Sequence, residues 1–309
     1  MASAAALGAV GRGFESLYSD FFYFMSLIWD APKALFTLPA TGHEVRIYGV
    51  LFALGAWLAW LLVRKNLISL FVAKGEELLQ AKDRATKLLD KLTWISVVSL
   101  VMGARLFHLV FYDFDYLVYD PFSIFRFWEP GLASHGGTIG LFIGILIYWR
   151  RYKEQFLGAT FLDFLDKFAP PVAITAAFIR FGNFFNQEIL GTATDLPWGV
   201  TFLHPVDGGP IISRHPVQLY EGFFYLAVYF FLRKIVSKQS GYISGLFFVL
   251  VFGGRIFLEI FKDSQDGIFD GAFLSTGQLL SVPLVLLGLV FMFKGSFWPT
   301  KRLKDHVRP

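Results

Sequence analysis

This chain has 309 residues, of which 55% are hydrophobic, 18% are aromatic and only 17% are charged. Soluble domains carry about 25% charged residues, so this composition indicates a membrane protein. The net charge of +4 fits basic loops that face anionic lipid, and no groove of interleaved basic and aromatic residues indicates a nucleic-acid partner. The chain has no cysteine, and its six His lack His-x-x-x-His spacing. It therefore contains no disulfide or cysteine nucleophile, and nothing in the sequence predicts a bound metal.

The predicted elements begin with an external N-terminal arm over residues 1–44. Its apolar run, residues 21–29, is too short to span a bilayer and favours a helix that lies in the membrane interface. Several of the apolar stretches that follow approach the ~20 residues with which a helix crosses a bilayer. We therefore predict an all-α integral membrane protein with seven transmembrane helices, at about 47–63, 92–112, 132–149, 168–185, 217–232, 242–261 and 273–293.

Two of these stretches contain residues that interrupt helices. Gly136-Gly137 lies in the third stretch and Pro170-Pro171 in the fourth. Irregular backbone is tolerated at membrane depth only where protein or a wet cavity surrounds it. The sequence therefore predicts broken or kinked spans at these two places.

Lys and Arg are concentrated in alternate loops of this pattern. Residues 64–91 carry many of them, and further basic residues follow the third, fifth and seventh stretches. Basic loops stay on the cytoplasmic side, so the N-terminus is predicted outside and the C-terminus inside. The chain then consists of the arm, a transmembrane domain at 45–293 and a cytoplasmic tail at 294–309. The domain includes a cytoplasmic helical insertion at 64–91 and an external cap at 186–216.

The run Arg180-Phe-Gly-Asn183-Phe-Phe-Asn186-Gln-Glu188 ends the fourth apolar stretch. It places a guanidinium, two carboxamides and a carboxylate at membrane depth, where charge is costly and usually marks a binding or catalytic site. The alternative is a packing cluster in which Asn and Arg satisfy each other between helices. Four polar groups exceed what such packing usually requires, so we favour a functional site.

Two further polar motifs accompany the fifth and sixth stretches. Arg214-His-Pro-Val-Gln218-Leu-Tyr220-Glu221 leads into the fifth, and its proline and glutamate also fit a plain helix start. Arg255 and Glu259 in the sixth are four residues apart and either pair with each other or orient the guanidinium toward a bound anion. Because guanidinium groups bind phosphate bidentately, an anionic lipid head group is the natural ligand.

The remaining candidates lie at the ends of the other stretches. Ser134-His135-Gly136-Gly137 begins the third stretch on the predicted outer side, where a neutral imidazole can accept a proton. A lone His at an interface is more often an ordinary interfacial residue. Further polar candidates are Arg46, Tyr48, Arg105, Tyr112, Ser275, Gln278 and Ser281, although aromatic residues at membrane interfaces also explain the two tyrosines.

At these residues the chain resembles the prolipoprotein diacylglyceryl transferases of bacterial inner membranes. The resemblance runs in order from about residue 45 to 293 and departs at Ile179 and Lys262, where the family usually has Gly and Arg. Its motifs are Arg46-Ile-Tyr48-Gly, Gly103-Ala-Arg105-Leu, Ser134-His135-Gly136-Gly137, Arg180-Phe-Gly-Asn183-Phe-x-Asn186-x-Glu188-x-x-Gly191, Arg214-His-Pro-x-Gln218-Leu-Tyr220-Glu221, Arg255-x-Phe-x-Glu259-x-Phe and Gly277-Gln278-x-x-Ser281-x-Pro.

The resemblance implies transfer of the sn-1,2-diacylglyceryl group from phosphatidylglycerol to the lipobox cysteine of a prolipoprotein, with no cofactor. A thiol with a reference pKa of about 8.5 is a poor nucleophile until it is deprotonated, so His135 is the candidate base. The resemblance places Arg180 and Arg255 at the departing phosphate. It implies substrate binding by Tyr48, Arg105, Gly136, Gly137, Asn183, Asn186, Glu188, Gly191, Arg214, Gln218, Tyr220, Glu221 and Glu259.

Two other functional classes stay open at this point. A phospholipid-binding transporter also needs arginines and broken helices, but it should show repeat symmetry, which the sequence lacks. A non-catalytic membrane scaffold needs no phosphate site, so it predicts that Arg180 and Arg255 are replaceable.

Overall fold

The computed structural model describes residues 27–39, 42–237, 239–263 and 275–297, and most of them are helical. Short 3-10 helices occupy Pro121–Phe125, Lys153–Phe156 and Glu259–Phe261. The α-helices in this part of the chain are α1 Ile47–Ala73, α2 Leu78–Phe111, α3 Phe114–Tyr119, α4 Ser134–Tyr152, α5 Phe161–Asn186, α6 Val217–Leu232, α7 Tyr242–Leu258 and α8 Thr276–Phe297.

Each of the seven apolar stretches falls on a helix. Four helical segments are long and apolar enough to cross a membrane, namely α1, α2, α5 and Tyr242–Phe261. Helix α6 and residues Gly277–Phe293 are apolar but shorter. Large apolar side chains such as Trp57, Val97 and Ile143 are exposed on the helices, as lipid-facing residues are. The described residues therefore form a mostly helical protein with four candidate spans, and the count of seven stays a prediction.

The prediction of an all-α chain is wrong in one respect, because the described residues include five short strands. They are β1 Leu27–Trp29, β2 Ala34–Thr37, β3 Glu44–Arg46, β4 Val200–Phe202 and β5 Ser213–Arg214. Strand β1 pairs in parallel with β4, β4 pairs antiparallel with β5, and β2 pairs antiparallel with β3. Strands of two to four residues are too short to show an alternating pattern, so the sequence gives little sign of them.

The interfacial helix predicted for residues 21–29 is wrong for residues 27–29, which form β1. Their backbone pairs with β4, a partner far along the chain that local sequence cannot reveal. The earlier part of that apolar run lies outside the described residues.

Helices α4 and α5 run without a break through Gly136-Gly137 and Pro170-Pro171, so a broken span is wrong at both places, and a kink there stays a prediction. Pro171 has no N–H to donate to the carbonyl of Lys167, four residues earlier. Asn66 Nδ2 donates to that carbonyl over 2.9 Å. A side chain from α1 therefore satisfies the group that the proline leaves unpaired.

The chain forms two compact units, one from Trp60 to Lys167 and the other from the described residues before and after that range. In the Trp60–Lys167 unit, α2 and α4 pack closely, because a Cβ atom added to Gly140 would lie 2.2 Å from the Ser99 carbonyl oxygen. Residues 64–73 and 78–91 are helical and belong to the end of α1 and the start of α2, residues 74–77 connect the two helices, and the cytoplasmic placement of this insertion stays a prediction. Arg64 Nε joins the two helices by donating to Thr86 Oγ1 over 2.7 Å.

The other unit contains both sheets and the helices α6, α7 and α8. Phe184 at the end of α5 packs with Leu190, Val200 and Phe202 in a small buried core. Trp29 from β1 lies against it, with its ring centroid 4.4 Å from that of Phe184. The β1-β4-β5 sheet is therefore fixed to the end of α5 at which Arg180 and Asn183 lie.

Candidate active site

Arg180 and Asn183 lie on the last turns of α5, three residues apart and therefore on one helix face. Arg180 Nη1 donates to Asn183 Oδ1 over 3.3 Å, and Asn183 Nδ2 donates to Glu188 Oε1 over 2.6 Å. Asn186 Nδ2 donates to the same carboxylate oxygen over 3.3 Å. The run singled out in the sequence is thus one connected polar cluster that leads from a guanidinium to a carboxylate.

The backbone bends sharply at Glu188 because its two neighbours are left-handed. Gln187 and Ile189 have φ values of 56° and 58°, which cost of order 1–3 kcal/mol for a residue with a Cβ atom and persist where the surroundings hold them. Gln187 Oε1 accepts from the His204 backbone N–H over 2.6 Å. Gln218 Nε2, from α6, donates to the Glu188 carbonyl over 2.9 Å. These contacts hold the bend that turns Glu188 back toward Asn183.

Glu221 is a buried carboxylate that lies between two cations. Its side chain has no exposed surface, and its two oxygens face two cations. Oε2 lies 2.8 Å from Arg180 Nε, and Oε1 lies 3.0 Å from Lys262 Nζ. Both contacts are ion pairs outside hydrogen-bond geometry. A buried carboxylate that lost one of these partners would be strongly destabilised.

Lys262 connects Glu221 to Glu259 and, through it, to Arg255. Lys262 Nζ donates to Glu259 Oε2 over 2.9 Å. Arg255 Nε lies 4.0 Å from the same oxygen, so the helical pair predicted from the i,i+4 spacing is present but loose. These contacts form a row of charges in the order Arg180, Glu221, Lys262, Glu259, Arg255, and both predicted arginines lie on it.

Glycines allow two close approaches beside this row. A Cβ atom on Gly277 would lie 2.3 Å from Glu259 Oε1, and one on Gly182 would lie 2.7 Å from Tyr48 Cδ2. Tyr48 is near enough to Arg180 and Glu188 to interact with both electrostatically. The structure therefore brings Tyr48, at the start of α1, to the polar cluster at the end of α5.

Arg214 is buried and holds the chain around this cluster. Its Nη1 donates to Asp263 Oδ2 over 2.5 Å and to the Gly191 carbonyl over 3.2 Å. A Cβ atom on Gly191 would lie 2.3 Å from the His215 carbonyl oxygen, so only glycine fits there without a shift. These contacts are those of residues that position the segment 190–192, and a direct role in substrate binding stays a prediction for both.

Tyr220 belongs to a second hydrogen-bonded group in the same unit. Its hydroxyl accepts from Trp198 Nε1 over 2.8 Å and lies 3.2 Å from His215 Nδ1. Trp198 is more than half exposed, so this group reaches the surface of the unit.

His135, Gly136, Gly137 and Arg105 belong to the Trp60–Lys167 unit. The imidazole of His135 is exposed in the first turn of α4, and its ring centroid lies 6.4 Å from that of Phe107. Both glycines are buried where α4 meets α2. The exposure leaves the imidazole accessible to a substrate, and its role as a base stays a prediction.

Arg105 is 1% exposed and is bound to the loop between α3 and α4. Its Nε donates to the Ser123 carbonyl, its Nη1 to the Pro130 carbonyl and its Nη2 to Glu129 Oε2, over 3.1, 2.8 and 2.7 Å. The Asp120 carboxylate beside Arg126 in this loop raises the pKa of the Arg126 guanidinium. The contacts of Arg105 are those of a loop anchor, and its role in substrate binding stays a prediction.

Sequence reasoning missed Lys262 and Tyr225 as members of the site. Lys262 was noted only as a departure from the family pattern. Tyr225, one helical turn after Glu221, is buried and lies near enough to Arg180 to interact with it. Its spacing from Glu221 on α6 was the one signal available, and many aromatic residues of this chain share such spacing by chance.

Several buried atoms of the cluster have no hydrogen-bond partner among the described residues, among them Asn186 Oδ1, Gln218 Oε1, Arg255 Nε and both carboxylate oxygens of Glu221. Buried polar atoms are normally paired, so such a group of exceptions points to a ligand-binding role. Within the described ranges, no group of three or more His, Asp or Glu side chains is arranged to hold a metal ion. Among the unpaired atoms Arg255 Nε is the donor, whereas the oxygens are acceptors, so it is the guanidinium groups of the cluster that suit an anionic ligand.

Comparisons with known proteins match the family that the sequence motifs resemble. A family model described as prolipoprotein diacylglyceryl transferase matches residues 33–294. Proteins named phosphatidylglycerol–prolipoprotein diacylglyceryl transferase from Tolumonas auensis and Chlamydia pneumoniae are 41% and 34% identical, over 86% and 91% of this chain and 96% and 99% of their own lengths. One of the same name from Protochlamydia amoebophila is 42% identical over 71% of this chain, and the match spans only 60% of that relative.

Proposed function

Because this chain belongs to the prolipoprotein diacylglyceryl transferase family, we propose that it transfers the diacylglyceryl group of phosphatidylglycerol to the lipobox cysteine of prolipoproteins. The cysteine sulfur attacks C3 of the diacylated glycerol, and the bond between C3 and the phosphate oxygen breaks. The products are a thioether-linked lipid on the cysteine and glycerol 1-phosphate, and the thiol proton passes to a base. This reaction begins bacterial lipoprotein maturation.

The row of charges from Arg180 to Arg255 is the observation that supports this reaction most directly. Negative charge builds up on the phosphate as it leaves, and guanidinium groups held in advance stabilise that charge without reorganising. Glu221 fixes Arg180 at Nε, which leaves the Nη atoms of the guanidinium for other partners. One of them already contacts Asn183, so Asn183 orients the fork while Glu188 orients Asn183.

The thiol needs a proton acceptor, and we assign this role to His135. The imidazole is exposed at the start of α4, and a neutral imidazole is suited to accept a proton near neutral pH. The alternative acceptor is an oxygen of the lipid phosphate itself. The two assignments are separated by the last experiment of the Discussion.

We also propose the membrane topology that places this chemistry at the outer leaflet of the inner membrane. It has seven crossings, an external N-terminal arm at 1–44, a periplasmic cap at 186–216 and a cytoplasmic C-terminal tail. Its support is the alternation of basic loops and the coincidence of each apolar stretch with a helix. Helices α6 and α8 are shorter than the four candidate spans, and α4 is not among those spans, so the crossings of these three helices depend most on this proposal.

The direct test is transfer by purified protein in phosphatidylglycerol proteoliposomes. A lipobox peptide should gain the mass of the diacylglyceryl group while glycerol phosphate appears in equal amount. A peptide with serine in place of the cysteine is the matched control. Lipid movement between leaflets without any product would favour a transporter, and unchanged lipoprotein maturation in cells that carry only Arg180→Ala, Arg255→Ala protein would favour a scaffold.

A further inference from the structure

Lys262 is the one member of the charge row to which the reaction assigns no task. Its side chain is 8% exposed, and its ammonium lies 3.0 Å from Glu221 and 2.9 Å from Glu259. We propose that Lys262 is a positioning residue that sets the affinity of Arg180 and Arg255 for the lipid phosphate by neutralising the two carboxylates between them. This inference rests on the proposed transferase function and adds a specific residue to it.

The backbone delivers this ammonium from a fixed place. The Lys262 N–H donates to the Glu259 carbonyl over 3.1 Å, and residue 262 forms an isolated antiparallel bridge with Gly191. On either side of it, the Thr192 N–H donates to the Phe261 carbonyl over 2.9 Å and the Asp263 N–H donates to the Leu190 carbonyl over 3.1 Å. The segment 261–263 is therefore tied to segment 190–192, so the ammonium is not a mobile surface charge.

The charge balance shows what the ammonium does. The cations of the cluster are Arg180, Arg255 and Lys262, and its carboxylates are Glu188, Glu221 and Glu259. Three positive and three negative charges cancel. Without Lys262, two cations would face three carboxylates, and the excess negative charge would oppose the binding of a phosphate.

The position of Lys262 makes the effect selective. Glu221 and Glu259 are each shared between Lys262 and one arginine. If the ammonium were removed, each carboxylate would have only its arginine as a cationic partner, and the arginines would be less available to a lipid. A lysine suits the shared position because its compact ammonium has three donors that can serve separate acceptors, whereas a guanidinium favours one carboxylate bidentately.

The test compares Lys262→Met with the double variant Lys262→Met, Glu259→Gln in proteoliposomes. The single variant leaves two cations against three carboxylates, and the double variant restores two against two. We expect Lys262→Met to raise the phosphatidylglycerol KM about 10- to 100-fold, as loss of a charged buried hydrogen bond would, with the peptide KM unchanged. The double variant should recover at least part of the loss, and Lys262→Arg, which keeps the charge, should lose less than Lys262→Met.

Lys153→Met, which removes an exposed lysine from the other unit, is the matched control, and melting temperatures in detergent follow folding. A wild-type phosphatidylglycerol KM in Lys262→Met would overturn the inference, as would a double variant no better than the single one. If neither Met variant folds, Lys262 is purely structural and the positioning role is also wrong. A wild-type protein that transfers nothing would instead contradict the proposed function, so the two failures are distinguishable.

Discussion

Arg180 and Glu221 form an ion pair with 2.8 Å between Nε and Oε2, and the Glu221 side chain has no exposed surface. The pair joins α5 to α6 and fixes the guanidinium through the atom nearest its stem. Nη1 of the same guanidinium donates to Asn183 Oδ1 over 3.3 Å. A residue held in this way is prepared for an anion before the anion arrives.

Arg180→Lys should therefore lose most of the transfer activity although the charge is kept. An ammonium cannot contact Glu221, Asn183 and a phosphate in the planar geometry of a guanidinium, and we expect a loss of about 10²- to 10³-fold in kcat, as for other removed charge-stabilising donors. Product formation by purified protein gives the measurement. Arg150→Lys, on the exposed end of α4, is the control. Full activity with normal lipid affinity would remove Arg180 from the phosphate site.

Arg255 and Glu259 should differ in their importance. Arg255→Ala removes a group that we place on the phosphate, whereas Glu259→Gln keeps a side chain of the same shape that can still accept from Arg255 and Lys262. We expect Glu259→Gln to reduce kcat/KM less than Arg255→Ala, because a group that only orients another contributes less than the group it orients. The two variants are compared by transfer rates at several phosphatidylglycerol concentrations. Equal losses would mean that Glu259 itself contacts substrate.

The membrane topology is testable because the chain has no cysteine of its own. Single cysteines at Asp207 and Lys82 should react with a membrane-impermeant maleimide from opposite sides, Asp207→Cys in intact spheroplasts and Lys82→Cys only after permeabilisation. Both positions are exposed, so burial does not explain a lack of labelling. The reverse pattern would reject the orientation, and labelling of both from outside would reject the number of crossings between them.

The close contact of α2 and α4 predicts an effect on stability. Gly140→Val should destabilise the protein by roughly 1–3 kcal/mol, because its side chain would be forced into the backbone of Ser99 and Gly103. Gly253→Ala is the matched control, since a Cβ atom there would meet nothing within 4 Å; it should change stability by no more than about 1 kcal/mol. Thermal unfolding in detergent compares the two. Similar melting temperatures for both variants would show that the helices separate without cost.

The helices were predictable because an apolar stretch reports directly on burial in lipid. Their ends were less so: α2 begins at Leu78 and joins most of the predicted helical insertion at 64–91 to the apolar stretch predicted to start at 92, because Ala81, Ala85 and Leu88 are buried against protein in a segment whose charged residues mask its apolar face. The polar residues of the site were predicted from their cost at membrane depth. Their partners were not, since the contact between Lys262 and Glu221 joins segments far apart in the chain.

The β1-β4-β5 sheet is a clearer example of contacts between distant segments that the sequence does not reveal. Strand β1 has three residues and pairs with β4, more than 170 positions away, so neither its length nor its local pattern distinguishes it from a short helix. The left-handed conformations of Gln187 and Ile189 were also unpredictable from the sequence, because glycine is the residue that usually adopts that conformation and neither position has it.

A variant of His135 distinguishes between two candidate proton acceptors, the His135 imidazole and an oxygen of the lipid phosphate. His135→Asn keeps polarity and approximate size but removes the nitrogen that accepts a proton, and loss of a general base typically costs ~10²–10⁴-fold. We expect a loss in this range at neutral pH. Raising the pH should then partly restore the variant, because a free thiol with a pKa of about 8.5 ionises in solution without help.

A second peptide tests the same idea at constant pH. A lipobox cysteine made more acidic by a neighbouring positive charge should rescue His135→Asn more than it accelerates the wild type, since only the variant lacks a base. His108→Asn is the control for loss of an imidazole. His108 lies in the last turn of α2 and is paired with Asp113 over 2.9 Å. Near-normal rates in His135→Asn at neutral pH would identify a lipid phosphate oxygen as the proton acceptor. Lost activity that neither high pH nor the acidic peptide restores would make His135 a residue that holds substrate or the first turn of α4.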